Sequence, residues 1–172
     1  MSIPAEKIAV LGGGSFGTAI ANIVADNGHS VTLWMRDQDI VESIRTQHEN
    51  TRYLPGKKLN SSILPTTELR EAVQDTTIIF VAIPSKAFRA VLQQARPFLN
   101  PGHILVSTTK GIEEDGFLMM SQILEQESPC GKIGVLSGPN LAKEVAQRVL
   151  TGFPGALDDP KMVAIEAYVA YE

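Results

Sequence analysis

Cysteine is almost missing from this sequence. Cys130 is the only one, which excludes a disulfide within the chain and a zinc site built on cysteines, and fits a reducing compartment. Long apolar runs are missing as well. None reaches the roughly 18 residues that a membrane-spanning helix needs. The opening MSIPAEK carries an acid and has no apolar core before Ile8, so it does not read as a secretory signal. Positive charge is not in excess. Lys and Arg number 15 against 19 Asp and Glu, a net charge of −4, which argues against a general nucleic-acid or membrane-surface binder. The expectation is a soluble cytoplasmic protein with no nucleic-acid partner and no membrane partner.

Several catalytic patterns are also lacking. No His, Asp and Glu cluster has metal-ligand spacing, so no metal is expected. There is no G-x-S-x-G and no Ser-His-Asp arrangement. Gly17-Thr18-Ala19 lacks the lysine that a Walker A loop requires. His29 lies in an NGHS turn and reads as structural; His48 and His103 are isolated and read as surface residues.

What is present is alternation. Apolar content of 44% over 172 residues suffices for one domain with a sizeable core. Short apolar runs predict strands at Lys7–Leu11, Ser30–Met35, Thr77–Ile83, Ile104–Thr108 and Ile133–Leu136, with a short one near Ile63. Helical spacing predicts helices over Ser15–Asn27, stopped by Gly28, and over Asp39–His48, Glu68–Val73 and Phe117–Gln126. Another begins after Pro84 with Ser85 as a candidate cap, one runs from Pro139 to Val149, and a last apolar one covers Lys161–Tyr171. Strands alternating with helices predict an α/β fold with a mainly parallel sheet covered on both faces. In such sheets ligands sit beyond the carboxyl ends of the strands, so the loops after strands are the informative ones.

The first of these loops is Gly12-Gly13-Gly14-Ser15-Phe16-Gly17. Gly12, Gly14 and Gly17 match G-x-G-x-x-G between a strand and a helix, the context that gives the pattern meaning. Gly12 permits the tight turn, Gly14 lets a pyrophosphate approach the backbone, and Gly17 lets helix and strand pack closely. The helix N-terminus offers free N–H groups and a positive dipole end. This predicts a Rossmann-type, doubly wound domain that binds a dinucleotide. At the end of the second strand, Trp34-Met35-Arg36-Asp37 puts Arg36 close to where an acid holds the ribose 2′-hydroxyl in NAD sites. A guanidinium suits a 2′-phosphate, which favours NADPH; Asp37 keeps NAD open, or simply begins the next helix.

Other loops are less decisive. VAIPS places Pro84 and Ser85 where backbone groups could line a cofactor, or where a proline merely ends a strand. Lys110 follows a strand beside Gly111. Its ammonium could attract a phosphate or stabilise an alkoxide, although lysines after strands are commonly just solvated. Gly138 and Asn140 occupy a further strand-to-helix turn, a natural anion site or a well-capped helix.

Taken together, VLGGGSFGTAIA, NGHSVTLWMRD, NTRYLPG, VAIPS, TTKGIE and LSGPNLAKEVA resemble the N-terminal part of the bacterial NAD(P)-dependent glycerol-3-phosphate dehydrogenases, in order and spacing, from about residue 5 to about residue 150. The resemblance implies hydride transfer between NAD(P)H and dihydroxyacetone phosphate, giving sn-glycerol 3-phosphate for phospholipid synthesis. By position it implies that Ser15 and Phe16 contact cofactor phosphates and Arg36 the adenosine ribose phosphate. It makes Lys110 the catalytic candidate, touching cofactor and substrate. Gly138 and Asn140 would face the substrate and Ala142 the cofactor.

Three departures accompany it. Gly13 stands where the family usually has alanine, a change expected to be sterically harmless. Asn140 replaces a usual Ser or Thr. The family's chain is about twice as long, and its helical second half carries a Lys-Asn motif and a phosphate-gripping arginine. On this reading residues 1–172 are an NAD(P)-binding domain with a divergent tail at 151–172, able to dimerise through exposed apolar surface. By itself it would bind cofactor with little turnover, since a missing proton-transfer lysine removes a typical ~100- to 10,000-fold contribution. The alternative reading is a stand-alone NADP-binding sensor or partner-binding module.

Overall fold

A computed structural model describes residues 5–136. The helices expected at Pro139–Val149 and Lys161–Tyr171 lie outside these residues. Six strands form one parallel sheet: β1 (Lys7–Leu11), β2 (Ser30–Trp34), β3 (Leu64–Thr66), β4 (Ile78–Val81), β5 (Ile104–Ser107) and β6 (Lys132–Val135). Their spatial order is β3-β2-β1-β4-β5-β6. The order reverses between β1 and β4, the arrangement of a doubly wound Rossmann-type sheet.

The alternation of β1 explains why both faces are covered. Ile8 and Val10 join a cluster with Val24 and Ile44, on the side of α1 (Ser15–Asp26) and α2 (Gln38–Gln47). Ala9 and Leu11 join Val73, Phe88, Leu92 and Ile123 on the opposite side, from α3 (Leu69–Val73), α4 (Ser85–Ala95) and α5 (Met120–Glu127). A strand buried on both faces needs the continuous apolar run that β1 and β4 carry.

Helix ends follow their local chemistry. Gly28, at φ 89°, closes α1 by donating its N–H to Ala25 O at 3.0 Å. Asp37 caps α2 by accepting from Asp39 N–H at 3.0 Å. Three expectations are corrected. Pro84, not Ser85, is the cap position of α4, and no side-chain hydrogen bond caps it. The helix expected from Phe117 begins only at Met120, because Phe117 adopts φ 52° and Ile112 pairs with Met119 across a short loop. His103 is buried at 4% exposure instead of lying on the surface, and its Nδ1 accepts from Asn100 N–H at 3.2 Å. His29 is structural as expected, with Nδ1 accepting from Glu6 N–H at 3.2 Å.

Among the described residues, no helix is long and apolar enough to cross a membrane, and no group of three His, Cys, Asp or Glu residues could hold a metal ion.

Candidate functional site

The loops that leave the carboxyl ends of β1, β2, β4 and β5 enclose a cleft of about 1150 Å³ at the point where the strand order reverses. This is the location where open α/β sheets take ligands, and the volume suffices for a large one.

The glycines at its floor have separable reasons for being glycine. Gly12 sits at φ 124°, and a Cβ there would fall 2.2 Å from Ala82 O. A Cβ on Gly17 would fall 1.9 Å from Gly12 O. Both glycines are therefore demanded by the protein's own backbone. Gly14 differs. Its backbone is extended at φ −72°, and a Cβ there would meet nothing within 4 Å. It caps α1 without any side-chain hydrogen bond, so the first N–H groups of the helix, on residues that line the cleft, have no side-chain partner at the cap. Among the described residues, no neighbouring atom demands a glycine at this position. A pyrophosphate approaching the backbone does explain it, so these residues fit a dinucleotide.

Gly13 does more than loosen the turn. A Cβ there would lie 2.7 Å from both Cβ and Cε of Met35, so the side chain after β2 fills the space that an alanine would need. The expectation that this position is sterically neutral is thereby corrected.

Beyond β2, Arg36 is exposed at the cleft and has no hydrogen-bond or ion-pair partner among the described residues. Its neighbour Asp37 is engaged twice: Oδ1 with Asp39 N–H at 3.0 Å and Oδ2 with Arg52 Nη1 at 2.6 Å. The loop carrying Arg52 is fastened to the glycine turn. Asn50 is fully buried and donates to Gly13 O at 2.9 Å and Thr18 Oγ1 at 2.8 Å. Its Oδ1 accepts from Tyr53 N–H at 3.0 Å, and Ser15 Oγ donates to Tyr53 O at 2.7 Å.

On the other side of the cleft, Thr108 Oγ1 donates to Val81 O at 3.2 Å and Thr109 Oγ1 to Ile83 O at 2.7 Å. These bonds bring Lys110 to the rim, exposed and without an ion-pair partner among the described residues. Three residues further on, Arg89 of α4 grips both oxygens of Glu113, at 2.6 and 2.8 Å, and also pairs with Glu127. The guanidinium holds the Glu113 carboxyl below the ordinary carboxylate range. Gly111, at φ 115°, makes the bend between Lys110 and that clamp.

The structure thus gathers Gly12, Gly14, Ser15, Phe16, Gly17, Arg36 and Lys110 around one cleft. Gly138, Asn140 and Ala142 lie outside the described residues. Sequence reasoning missed Asn50, Arg52 and Tyr53. Nothing in the polar, Pro-Gly-containing stretch NTRYLPG signals that one asparagine is buried beneath the glycine turn.

Comparison with known proteins agrees with this geometry. The family profile described as NAD-dependent glycerol-3-phosphate dehydrogenase N-terminus matches residues 7–163. The chain is 54% identical over 157 residues to glycerol-3-phosphate dehydrogenase [NAD(P)+] of Azotobacter vinelandii, covering 91% of this chain and 46% of that protein. The Pseudomonas aeruginosa enzyme is 51% identical over 159 residues, covering 92% of this chain and 46% of that protein. The chain therefore spans about half the length of these curated relatives. Among solved structures, glycerol-3-phosphate dehydrogenase from Coxiella burnetii superposes with a TM-score of 0.79 at 31% identity, over 86% of this chain and 45% of that one. A ketopantoate reductase from Ralstonia eutropha, at 18% identity and a TM-score of 0.57, shares the fold alone. The glycine turn, the Lys110 loop and these matches together establish that the chain belongs to the NAD-dependent glycerol-3-phosphate dehydrogenase family, over that family's N-terminal part.

Proposed function

We propose that the chain is the dinucleotide-binding part of a glycerol-3-phosphate dehydrogenase. It takes NADPH in preference to NADH and serves the interconversion of dihydroxyacetone phosphate and sn-glycerol 3-phosphate for glycerophospholipid synthesis in the cytoplasm. The observation that carries this reading is Gly14, lining the cleft and crowded by no atom of the described residues, at the N-terminus of a helix that no side chain among them caps.

The α1 N-terminus, with Gly12, Gly14, Ser15, Phe16 and Gly17, would hold the cofactor phosphates. Arg36 would pair with the 2′-phosphate through a planar fork of donors. The bound dinucleotide supplies or accepts the hydride. As hydride reaches a ketone carbon, negative charge grows on the ketone oxygen. The Lys110 ammonium, across the cleft, would stabilise that charge and attract the substrate phosphate. Gly138 and Asn140 as substrate contacts, Ala142 as a cofactor contact and a homodimer are part of this proposal through the family resemblance. Lys110 is the only lysine among the described residues that line the cleft. We expect the 172-residue polypeptide to bind dinucleotide while reducing dihydroxyacetone phosphate slowly. Robust steady-state reduction of dihydroxyacetone phosphate by this polypeptide would overturn that expectation.

The cofactor preference is tested by titrating NADPH and NADH against the chain and an Arg36→Ala variant. Loss of about tenfold or more in NADPH affinity with NADH affinity retained is expected for removal of a charged phosphate contact. Equal loss of both, or no loss, would remove the 2′-phosphate role from Arg36.

A further inference from the structure

We infer that Asp37 and Arg52 form a charge latch at the lip of the cleft, and that Arg52 is a specificity-determining residue for the phosphorylated dinucleotide. The inference rests on the dinucleotide reading above.

The end of β2 carries two opposed instructions. Arg36 suits a 2′-phosphate, whereas Asp37, the next residue, is the kind of acid that accepts a hydrogen bond from a ribose 2′-hydroxyl and repels a phosphate. The structure resolves the conflict through a residue distant in sequence. Arg52 Nη1 lies 2.6 Å from Asp37 Oδ2, while Oδ1 is occupied by the α2 N-terminus. Each carboxylate oxygen already accepts one bond, one of them from a cation, so a ribose hydroxyl meets an acceptor whose charge and capacity are partly spent. The carboxylate's charge is also neutralised beside Arg36, which removes the repulsion that a 2′-phosphate would otherwise meet.

Arg52 is held in this place. Its guanidinium carbon stands 5.4 Å from the centre of the Tyr53 ring. Tyr53 is tied at its N–H to buried Asn50 and at its carbonyl to Ser15 of the glycine turn. The latch is therefore built on the same frame as the phosphate site. The side chains of Arg52 and Asp37 are 62% and 34% exposed, and ion pairs this exposed contribute little to stability. The effect of the pair lies in the charge it presents to a ligand.

The test measures dissociation constants of NADPH and NADH at low salt for the 172-residue chain and for Arg52→Ala, Arg52→Gln, Asp37→Asn and the double variant Arg52→Ala/Asp37→Asn. Asp37→Asn keeps an acceptor for the helix cap, and thermal melting checks that each variant is folded. Arg52→Ala and Arg52→Gln are expected to weaken NADPH by about tenfold while NADH is unchanged or tighter, because an unpaired carboxylate repels phosphate and welcomes a hydroxyl. The double variant is expected to recover most of the NADPH loss, and the Arg52→Ala discrimination to shrink in high salt. Equal weakening of both nucleotides by Arg52→Ala, or a double variant no better than Arg52→Ala, overturns the latch while leaving dinucleotide binding intact. Failure of the unaltered chain to bind either nucleotide overturns the reading beneath it.

Discussion

The turn after β1 and the loop after β5 both line one cleft, yet what chiefly constrains them differs, although Asn50 also ties the turn at Gly13 O. The turn is fixed by backbone contact: Gly12 against Ala82 O and Gly17 against Gly12 O leave no room for one methyl group. The Lys110 loop is fixed by side chains, through Thr108 and Thr109 on the carbonyls of β4 and its exit and through Arg89 on Glu113. Contact between backbones is all-or-none, because the atoms involved cannot retreat without moving the sheet. Hydrogen bonds and ion pairs can be weakened by degrees, by substitution, salt or protons. The side of the cleft that carries the glycine turn is therefore rigid by construction, and the side that carries Lys110 is adjustable.

The sharpest way to break this comparison is a methyl group on two neighbouring glycines. Gly12→Ala places a Cβ into Ala82 O at a φ of 124°, and backbone strain plus overpacking predict a loss of about 3 kcal/mol or more. Gly14→Ala meets no atom of the described residues and should lower the melting temperature far less, by the modest cost of an alanine at a helix N-cap. It should nevertheless weaken dinucleotide binding by about tenfold or more, since the methyl occupies the approach of the pyrophosphate. Thermal melting and nucleotide titration of both variants separate these outcomes. A Gly14→Ala chain that binds as well as the original would remove the main support for the phosphate site.

A smaller effect is expected on the adjustable side. Arg89→Met leaves Glu113 without its cation and Glu127, only 8% exposed, with Arg96 at 3.9 Å as its remaining ion-pair partner. The melting temperature should fall by a few degrees, less than for Gly12→Ala, and amide exchange across 109–116 should quicken. Arg89→Lys keeps a charge without the two-pronged grip and should fall between. If exchange in that stretch is unchanged in both variants, Arg89 does not position the Lys110 loop.

This difference in construction also decides what the sequence disclosed. The apolar runs of β1, β4 and β5, the helix stop at Gly28 and the glycine spacing are local signals, and each appears within a residue or two of its predicted place. Gly12, Arg36 and Lys110 were legible because they lie in loops that follow strands, and the topology sends all such loops to one edge, while Gly17 in α1 was legible from its spacing to Gly12 and Gly14. Asn50 and Arg52 were not legible. Their partners Gly13, Thr18 and Asp37 are distant in the chain, and no periodicity reports a contact between a loop and a turn. The start of α5 was misplaced for a related reason. Phe117 has helical spacing to Met120 and Leu124, but Phe117 is 79% exposed while the other two are buried. The pairing of Ile112 with Met119 overrides the helical pattern there.

The smallest effect expected is a two-stage dependence of stability on pH, and it separates the packed interior from the clamp. His103 is buried, and burial holds its pKa below the ordinary value of 6.5. The unfolded chain then takes up the proton first, so the neutral imidazole's contribution is complete above about pH 6.5 and declines as pH falls toward the lower folded value. Protonation also breaks the bond that Nδ1 accepts from Asn100 N–H. Glu113 behaves alike in a lower window. Its carboxyl is held below the ordinary 4.5, first by its hydrogen bond to Arg89, so the stability it contributes is present above that value and is lost as pH falls below it. Denaturation midpoints measured from pH 8 to pH 3 should decline in two steps. His103→Gln should flatten the upper step and leave the lower one, while Arg89→Met should shrink the lower step, to which Glu49 also contributes, and leave the upper one. A variant that flattens both would mean that the two regions titrate as one unit, against the separation of a packed interior from an adjustable clamp.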